Sequence, residues 1–508
     1  MSNSMTNFRF TIAICPALTA LLLSGCMVGP KYHAPPAIAQ APPPAYKESP
    51  TQFQDKDGWK VAQPQDAMLH GKWWEIYGDP ELNALEERLN IDNQNIKQYF
   101  ANFMEARTLI AQARSQLYPT LTAGPSYQRA KTSSNLGTSS VANPGVQSSV
   151  GSLPLTASWE PDLWGRVRST IHEEQYDAQL SAADLENEKL TEQASLATYL
   201  FEIRGQDALQ AILDDTVEAD KKALELTEAQ YETGVGNRIS VVEAENTLQN
   251  VQAQATNLGV ARAQYEHAIA LLVGANASAF SIPVKAASVV PPPIPIGLPS
   301  ALLERRPDIA ASERNMAAAN AEIGIATAAY YPNLTLSAEG GFESSTFKHL
   351  FDWPSRFWSI GPSVSETIFD AGLRRATVNQ FVEVYNADVA SYRQTVLTGF
   401  QQVEDALASV RILSQQLIQQ EAAEKSAQEF VTLETARYQT GIDPYVDVVT
   451  AQTTLLTDRQ SVASLRVQEM TSSVQLIEAL GGGWDRSQLP TPAQVSEKLT
   501  KTETTIQR

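Results

Sequence analysis

The residue types that perform most enzyme chemistry are few in this chain and stand far apart. The five histidines show no metal-ligand spacing: they are His33, His70, His172, His267 and His349. No serine stands in a Gly-x-Ser-x-Gly frame, and no phosphate-binding glycine loop is present in the sequence. The sequence therefore predicts a protein that is not an enzyme and that holds no metal and no cofactor besides a covalent lipid.

That lipid is predicted on Cys26, the one cysteine expected to remain in the mature chain. An apolar stretch from Phe10 to Leu23, preceded by Arg9, has the layout of a secretory signal peptide. It ends in Leu23-Ser24-Gly25-Cys26, which resembles a bacterial lipobox, where cleavage frees the cysteine and its thiol is acylated. The alternative is an ordinary signal peptide followed by a chance cysteine.

Two consequences follow for the mature chain. Residues 1–25 are expected to be removed together with Cys15, the only other cysteine. The mature chain would then have no second thiol and could form no disulfide. Met27 stands where an aspartate would favour the inner membrane in sorted lipoproteins, so by resemblance the outer membrane is favoured. Residues 26–65 are rich in proline and alanine, and we expect them to anchor and tether the folded body.

The charge of the chain excludes one class of partner. With 38 Lys+Arg against 57 Asp+Glu, the formal net charge is -19. A nucleic-acid partner would require a basic face that neutralises phosphates, so none is expected. The acidic excess fits either a solvated surface or an acidic pore lining.

The body of the chain contains one sequence unit twice. Upstream, Tyr118-Pro119 matches Tyr331-Pro332 at an offset of 213 residues. Further along, the offset is 207 residues, so the first copy has six more residues in a length-tolerant loop. The matches at 207 are Gly165 with Gly372, Tyr231 with Tyr438, Gly234 with Gly441, and Gly274 with Gly481.

Each copy is predicted to contain a helix, a β-hairpin, a long helix, a glycine turn and a returning helix. We place the copies at residues 66–296 and 297–483, with hairpins at about 118–160 and 331–368 and a polar C-terminal tail at 484–508. Long proline-free stretches and an apolar heptad seam from Val396 to Leu417 indicate long helices of about 65 residues, on the order of 100 Å. Lys131 to Gly151 is predicted to be a loop.

The two hairpins supply four strands per chain, which is too few to close a barrel. Strands that enter lipid cannot keep unpaired edges, so several chains must contribute: two would supply eight strands and three would supply twelve. A structural periplasmic coiled-coil lipoprotein is the alternative, but it leaves the hairpins without a role.

The order of the motifs from Cys26 to about Gly483 resembles the outer membrane factor family, in its NodT/OprM-like lipoprotein branch of TolC-related proteins. The motifs are Val28-Gly29-Pro30-Lys31-Tyr32, Asp79-Pro80-Glu81-Leu82, the two Tyr-Pro-x-Leu strand starts, Asp162-Leu163-Trp164-Gly165-Arg166 and the two Tyr-x-Thr-Gly turns. The resemblance implies a mixed α and β fold and a homotrimer, in which a twelve-stranded membrane β-barrel stands on a long periplasmic α-helical barrel.

The resemblance also implies the function. The chain would be the outer-membrane exit duct of a tripartite efflux pump, lipid-anchored, with most of its helical body in the periplasm. Its partners would be outer-membrane lipid, a periplasmic adaptor protein and an inner-membrane transporter, often of the resistance-nodulation-division type, and its cargo small molecules such as drugs. Type I protein secretion uses the same kind of duct and stays open as an alternative.

In the family, the second glycine turn and the helix after it narrow the periplasmic entrance. Carried over by motif, the gate positions here are Tyr438, Asp443, Val446 and Asp447. The adaptor would touch the helix tips at Gly234, Gly236 and Gly441, which could also be plain helix C-caps. Asp447 could equally be a carboxylate favoured by a helix dipole. The second turn differs from the first in its acidic residues, and we expect the gate there.

Two groups of aromatic residues are expected in different parts of the molecule. Trp73 and Trp74 are expected to pack in the core or in a belt around the helical body. Trp353, Phe357 and Trp358 flank a predicted strand and are expected to form an aromatic girdle at the membrane interface.

Overall fold

The computed structural model describes residues 27–37, 45–48, 71–135, 147–285, 291–292, 294 and 302–497. The predicted signal segment, Cys26 and residues 498–508 lie outside this range. Within it, helices predominate and one antiparallel sheet is present, which confirms the mixed α and β class. The α-helices are α1 (Pro80–Asp92), α2 (Gln94–Ser115), α3 (Arg166–Glu232), α4 (Arg238–Leu272), α5 (Leu302–Arg305), α6 (Pro307–Ala328), α7 (Leu373–Gln439), α8 (Tyr445–Ala479) and α9 (Pro492–Val495).

The long helices of the two halves match in length and spacing. α3 and α7 contain 67 residues each, and α4 and α8 contain 35 each. α3 follows Gly165 and α7 follows Gly372, and both glycines adopt the left-handed conformation that glycine reaches at little cost. At about 1.5 Å per residue, α3 and α7 are each on the order of 100 Å long.

The predicted first helix is divided at Asn93. Asp79 caps α1 by accepting hydrogen bonds from the backbone N–H groups of Glu81 and Leu82. Asn93 leaves the helical conformation, accepts a hydrogen bond from the Ile96 N–H at 3.0 Å, and donates to the Leu272 carbonyl at 3.0 Å. The side chain thus starts α2 and fastens it to the end of α4.

The sheet contains β1 (Thr120–Ala123), β2 (Ser126–Lys131), β3 (Gln147–Trp159), β4 (Asn333–Ser344) and β5 (Arg356–Ser365). β1 and β2 both pair with β3, and the order continues through β4 to β5. β1 and β2 correspond to one predicted strand, which is interrupted at Gly124-Pro125 because proline has no N–H to donate. The register continues across the break, since Ala123 pairs with Leu155 and Ser126 with Ser152.

One boundary prediction was wrong. Residues 147–151 were expected in a loop from Lys131 to Gly151, but they form the first part of β3 and pair with β2. Their small polar side chains carry little strand signal, and the pairing partner determines their conformation.

The predicted core tryptophans are confirmed. Trp73 and Trp74 are buried beside Leu82 of α1 and Leu200 of α3 in the main apolar cluster. The heptad seam of α7 is buried at Val396, Val403 and Leu407.

The C-terminal segment is packed as far as it is described. Trp484 is 7% exposed and contacts Ala183, Ala310 and Ala311. Val495 of α9 is 1% exposed against Ala106, Ile110 and Ala178. Residues 484–497 therefore close gaps between α2, α3 and α6, which the polar composition of this segment did not indicate.

Two parts of the predicted tether pack against the folded body. The Val28 N–H donates to the Trp164 carbonyl at 3.2 Å, and the Tyr32 hydroxyl donates to Glu313 Oε1 at 2.7 Å. Farther along, Tyr46 is 3% exposed in the main core. Residues 27–37 and 45–48 thus lie against the helices, because their aromatic side chains find apolar surface there.

Glu86 in α1 is a buried acid that has no counter-charge among the residues the structure describes. Its side chain is fully buried, and neither carboxylate oxygen has a hydrogen-bond partner among the described residues. Burial raises the pKa of Glu86 well above its usual value. The folded state therefore favours the neutral acid.

We expect Glu86→Gln to stabilise the protein at pH 8 by about 1–3 kcal/mol. A raised folded-state pKa means that the fold binds the proton more tightly than the unfolded chain, so stability falls as pH rises above the unfolded pKa. The gain should disappear near pH 4, where both states are protonated. Thermal unfolding of both proteins at pH 4, 6 and 8 measures this, and an equal difference at each pH would contradict it.

Candidate functional site

The two glycine turns that connect the long helices to the returning helices have the same backbone. After α3, the Val235 N–H donates to the Gln230 carbonyl and the Gly234 N–H to the Tyr231 carbonyl. After α7, the corresponding bonds run from Ile442 to Arg437 and from Gly441 to Tyr438. This is the Schellman motif, in which a left-handed glycine closes a helix. Gly234 and Gly441 have φ values of 78° and 74°.

Gly236 has a different role from the other two tip glycines. It lacks a positive φ. A Cβ there would lie 3.0 Å from the Gln230 Cβ. The absence of a side chain at Gly236 therefore lets the chain pass close to the end of α3. Gly236 is therefore not a left-handed C-cap like Gly234 and Gly441, although its N–H also donates to the Gln230 carbonyl, at 2.8 Å.

At the second turn an ion pair replaces this close backbone packing. The Arg437 guanidinium donates to Asp443 Oδ1 at 2.9 Å and also contacts Oδ2. The residues 207 positions earlier are Gln230 and Gly236, which cannot form such a pair. The guanidinium lowers the pKa of Asp443 below its usual value, so this carboxylate stays charged at neutral pH.

Three carboxylates meet beside that arginine. Oxygens of Glu434, Asp443 and Asp447 lie within 4.8 Å of one another, an arrangement that could accept a cation. Partial desolvation raises the pKa of Glu434, and the neighbouring Asp443 carboxylate raises it further. Asp447 lies in the first turn of α8, where a carboxylate is also favoured by the helix dipole.

Tyr438 connects the two turns. Its hydroxyl donates to Gln230 Oε1 at 2.5 Å, and its ring lies 5.2 Å from that of Tyr445. Tyr445 and Val448 are buried with Ala244 of α4, so the start of α8 packs against the first half of the chain.

Apolar side chains remain uncovered at the same end. Val446, a predicted gate position, is 47% exposed. Val235 and Ile442, within the two turns, are 82% and 65% exposed.

The structure thus brings Asp443 and Asp447 together beside Glu434, places Tyr438 against Tyr445, and leaves Val446 exposed. Sequence reasoning missed Arg437, Glu434 and Gln230. The repeat could have indicated the ion pair between Arg437 and Asp443, because both residues differ from their first-half counterparts, Gln230 and Gly236.

The opposite end of the long helices carries the sheet, whose two faces differ. Strand alternation places the following exposed apolar residues on one face: Leu121, Tyr127, Leu155, Trp358, Ile360 and Val364. The other face carries Thr122, Ser126, Thr156, Ser337 and Ser363.

The predicted aromatic girdle is only partly on the apolar face. Trp353 and Trp358 are 76% and 78% exposed. Phe357 alternates with Trp358 and therefore points to the polar face, so its assignment to the girdle was wrong. Among the described residues, none of the helices combines the length and apolarity required to cross a membrane.

Comparisons with known proteins agree with this architecture. Residues 86–275 and 298–482 match the family model described as outer membrane efflux protein. The antibiotic efflux pump outer membrane protein ArpC of Pseudomonas putida is 30% identical over 473 residues, which are 92% of this chain and 95% of that protein. The toluene efflux pump outer membrane protein TtgC, also of Pseudomonas putida, has the same identity and coverage.

A solved structure matches along nearly the whole chain as well. The outer-membrane channel OprN superimposes with a TM-score of 0.80 and 27% identity, covering 90% of this chain and 100% of that one. The present protein is an outer-membrane efflux component whose helical body lies in the periplasm. It belongs to the outer membrane efflux protein family.

Proposed function

We propose that three copies of this chain form the exit channel of a tripartite efflux pump. The observation that carries the proposal is a sheet with one exposed apolar face at the end of helices on the order of 100 Å long. Such a sheet cannot remain open in lipid, where unpaired backbone groups have no water. Three chains would supply enough strands for a lumen, with the apolar face toward lipid.

The direction of the edge strands supports closure between chains. β1 and β2 form one edge of the sheet and β5 forms the other, and they run in opposite directions. In a ring, β5 of one chain would therefore lie antiparallel to β1 and β2 of the next chain, and the up-and-down alternation would continue without a break.

Cysteine pairs across this junction test the assembly. Ser359→Cys in β5 is combined in turn with a cysteine at each residue of β2, and oxidised membranes are run on denaturing gels. A covalent trimer at some positions is expected. As a control, Ser359→Cys with Glu339→Cys joins neighbouring residues of one chain and should yield monomers only. Monomers for every β2 position would contradict the trimer.

Efflux itself is tested in a deletion strain. Relatives are named for antibiotics and toluene, so we propose that small organic molecules of these kinds are carried. Loss of the chain should lower the inhibitory concentrations of such compounds, and the wild-type gene should restore them. A strain with unchanged sensitivity that fails instead to secrete a protein would favour protein export.

The partners would bind at the tips. The uncovered Val235 and Ile442, beside Gly234, Gly236 and Gly441, offer an apolar surface to the periplasmic adaptor protein, which would link the channel to an inner-membrane transporter, often of the resistance-nodulation-division type. In the trimer, Val446 and Asp447 would recur around the entrance as an apolar constriction and an acidic ring, with Tyr438 and Asp443 holding the turn.

The lipid on Cys26 is the remaining part of the proposal. Met27 lies against Gly165, where the sheet joins α3, so an acyl chain on the preceding residue would reach the membrane beside the sheet. Wild-type protein should incorporate labelled palmitate, and Cys26→Ala should not. Cys15→Ser serves as the control, since its residue leaves with the signal segment and labelling should persist. Unlabelled mature wild-type protein would disprove the anchor.

A further inference from the structure

Three cations stand on the apolar face of the sheet, all at the end away from the helices. Arg129 and Lys131 follow Tyr127 at alternate positions of β2, and Arg356 precedes Trp358 by two positions in β5. All three are exposed. We call Arg129, Lys131 and Arg356 the cationic rim.

The nearby acids of the strands face the other way. Glu339 and Glu343 alternate with Gly340 and Phe342 in β4, so they belong to the polar face. Phe342 pairs with Arg356, which places that arginine on the apolar face. The sheet therefore separates its charges, with acids toward the proposed lumen and cations toward the proposed lipid.

The rim cations are not neutralised by the part of the chain that the structure describes. Among the described residues, no carboxylate forms an ion pair with any of them. The Arg129 guanidinium lies 2.7 Å from the side-chain amide of Gln147, and the Arg356 guanidinium stacks over the Trp353 ring. Residues 136–146, outside the described range, contain no charged residue in the sequence.

Three arginines at the helix end of the sheet form ion pairs within the chain. Arg166 pairs with Glu160 at 3.2 Å, Arg168 with Asp162 at 3.0 Å and Arg374 with Asp370 at 2.7 Å. These three arginines already have anionic partners within the chain. The rim cations differ from these three arginines in that none of them has a carboxylate partner among the described residues, in a chain whose net charge is -19.

We propose that the cationic rim binds the phosphate groups of an acylated glycolipid in the outer leaflet of the membrane. The proposal rests on the channel function above, which places the apolar face in lipid. The acyl chains would lie against Tyr127, Leu155 and Trp358, while the phosphates would accept charge-assisted hydrogen bonds from Arg129 and Arg356. Cations at a membrane surface strengthen binding to anionic lipid.

The test uses the purified full-length trimer in detergent and native mass spectrometry. The probes are bisphosphorylated lipid A and the same lipid with its phosphates removed. The wild-type trimer should retain the phosphorylated form with a preference of about tenfold or more. The triple variant R129Q/K131Q/R356Q should lose this preference, whereas R129K/R356K, which keeps the charges, should retain it.

A matched control removes the same charge elsewhere. K97Q/K222Q/K425Q changes three exposed lysines of the helical body and should bind like wild type. If the triple rim variant does not assemble, the single variant R356Q is measured against wild type and should show a partial loss. Equal retention of both lipids by the wild type, or an unchanged preference in a folded rim variant, overturns the proposal.

Failure of the channel proposal can be recognised separately. A wild-type protein that forms no trimer and no conducting pore would refute the channel and the rim together. A conducting wild-type trimer without phosphate preference would refute the rim alone.

Discussion

Replacing Gly481 by alanine is expected to prevent most of the protein from forming the proposed trimer in a stable state. Gly481 has φ +93°, a conformation that side chains rarely adopt, and an added Cβ would lie 1.9 Å from the Arg305 carbonyl oxygen. That oxygen belongs to the backbone at the end of α5, so the end of α8 and the turn between α5 and α6 would have to separate. Strain and displacement together should cost about 3 kcal/mol or more.

The measurement is the temperature at which the detergent-solubilised trimer dissociates, together with trimer yield. A shift of about 5 °C or more downward is expected for Gly481→Ala. Gly441→Ala is the matched control for backbone strain alone, because its φ is +74° and no atom lies within 4 Å. Gly259→Ala, inside α4 with open space around it, should leave stability unchanged or slightly higher. Equal behaviour of the three variants would contradict the steric argument.

The same contact exists in the first half. A Cβ on Gly274, with φ +64°, would lie 2.6 Å from the Asp92 carbonyl oxygen. Asp92 and Arg305 are 213 residues apart, which is the upstream offset of the repeat. Each returning helix therefore ends on a glycine that lies against a turn between two earlier helices of the same half, α1 and α2 in the first and α5 and α6 in the second. Gly274→Ala should therefore also be destabilising.

Removing the Arg437 guanidinium is expected to open the proposed periplasmic entrance. Without it, Glu434, Asp443 and Asp447 face one another without the one cation that pairs with Asp443 in the described part of the chain. Their repulsion should loosen the turn between α7 and α8. Arg437→Ala trimers in planar bilayers should therefore show a several-fold higher conductance than wild type.

Two variants sharpen this experiment. Arg238→Ala removes an exposed cation next to the first turn, where the nearest carboxylate, Glu245, is 3.8 Å away, and should not change conductance. Asp447→Ala should raise conductance if Asp447 narrows the pore. A wild-type conductance in both Arg437→Ala and Asp447→Ala would remove this cluster from the gate.

The response to acid follows from the pKa directions. The pKa of Asp443 is lowered by Arg437, so the ion pair persists until the pH falls through that depressed value. The pKa of Glu434 is raised, so Glu434 takes up its proton first and repulsion decreases. Wild-type conductance should therefore not rise between pH 7 and pH 5, and a steep rise in this range would contradict the assignment.

Local sequence was sufficient for much of the fold. The offsets of 207 and 213 residues predicted paired helices, because each unit repeats the same glycine stops and apolar spacing, and the structure has helices of 67 and 35 residues in both halves. The left-handed roles of Gly234 and Gly441 also follow from local chemistry, since only glycine adopts that conformation at little cost.

Other features required the tertiary structure. The early start of β3 at Gln147 depends on its pairing with β2, and the packing of Trp484 and Val495 depends on gaps between distant helices. The sequence by itself determined the repeated unit, its helix ends, the predicted export signal and the family resemblance, because these depend on neighbours along the chain. Only the tertiary structure decided that Arg437 and Asp443 meet across the turn after α7, because this contact depends on the geometry of that turn. Only the structure decided that Phe357 lies on the polar face of the sheet, because its orientation depends on the pairing of β5 with β4.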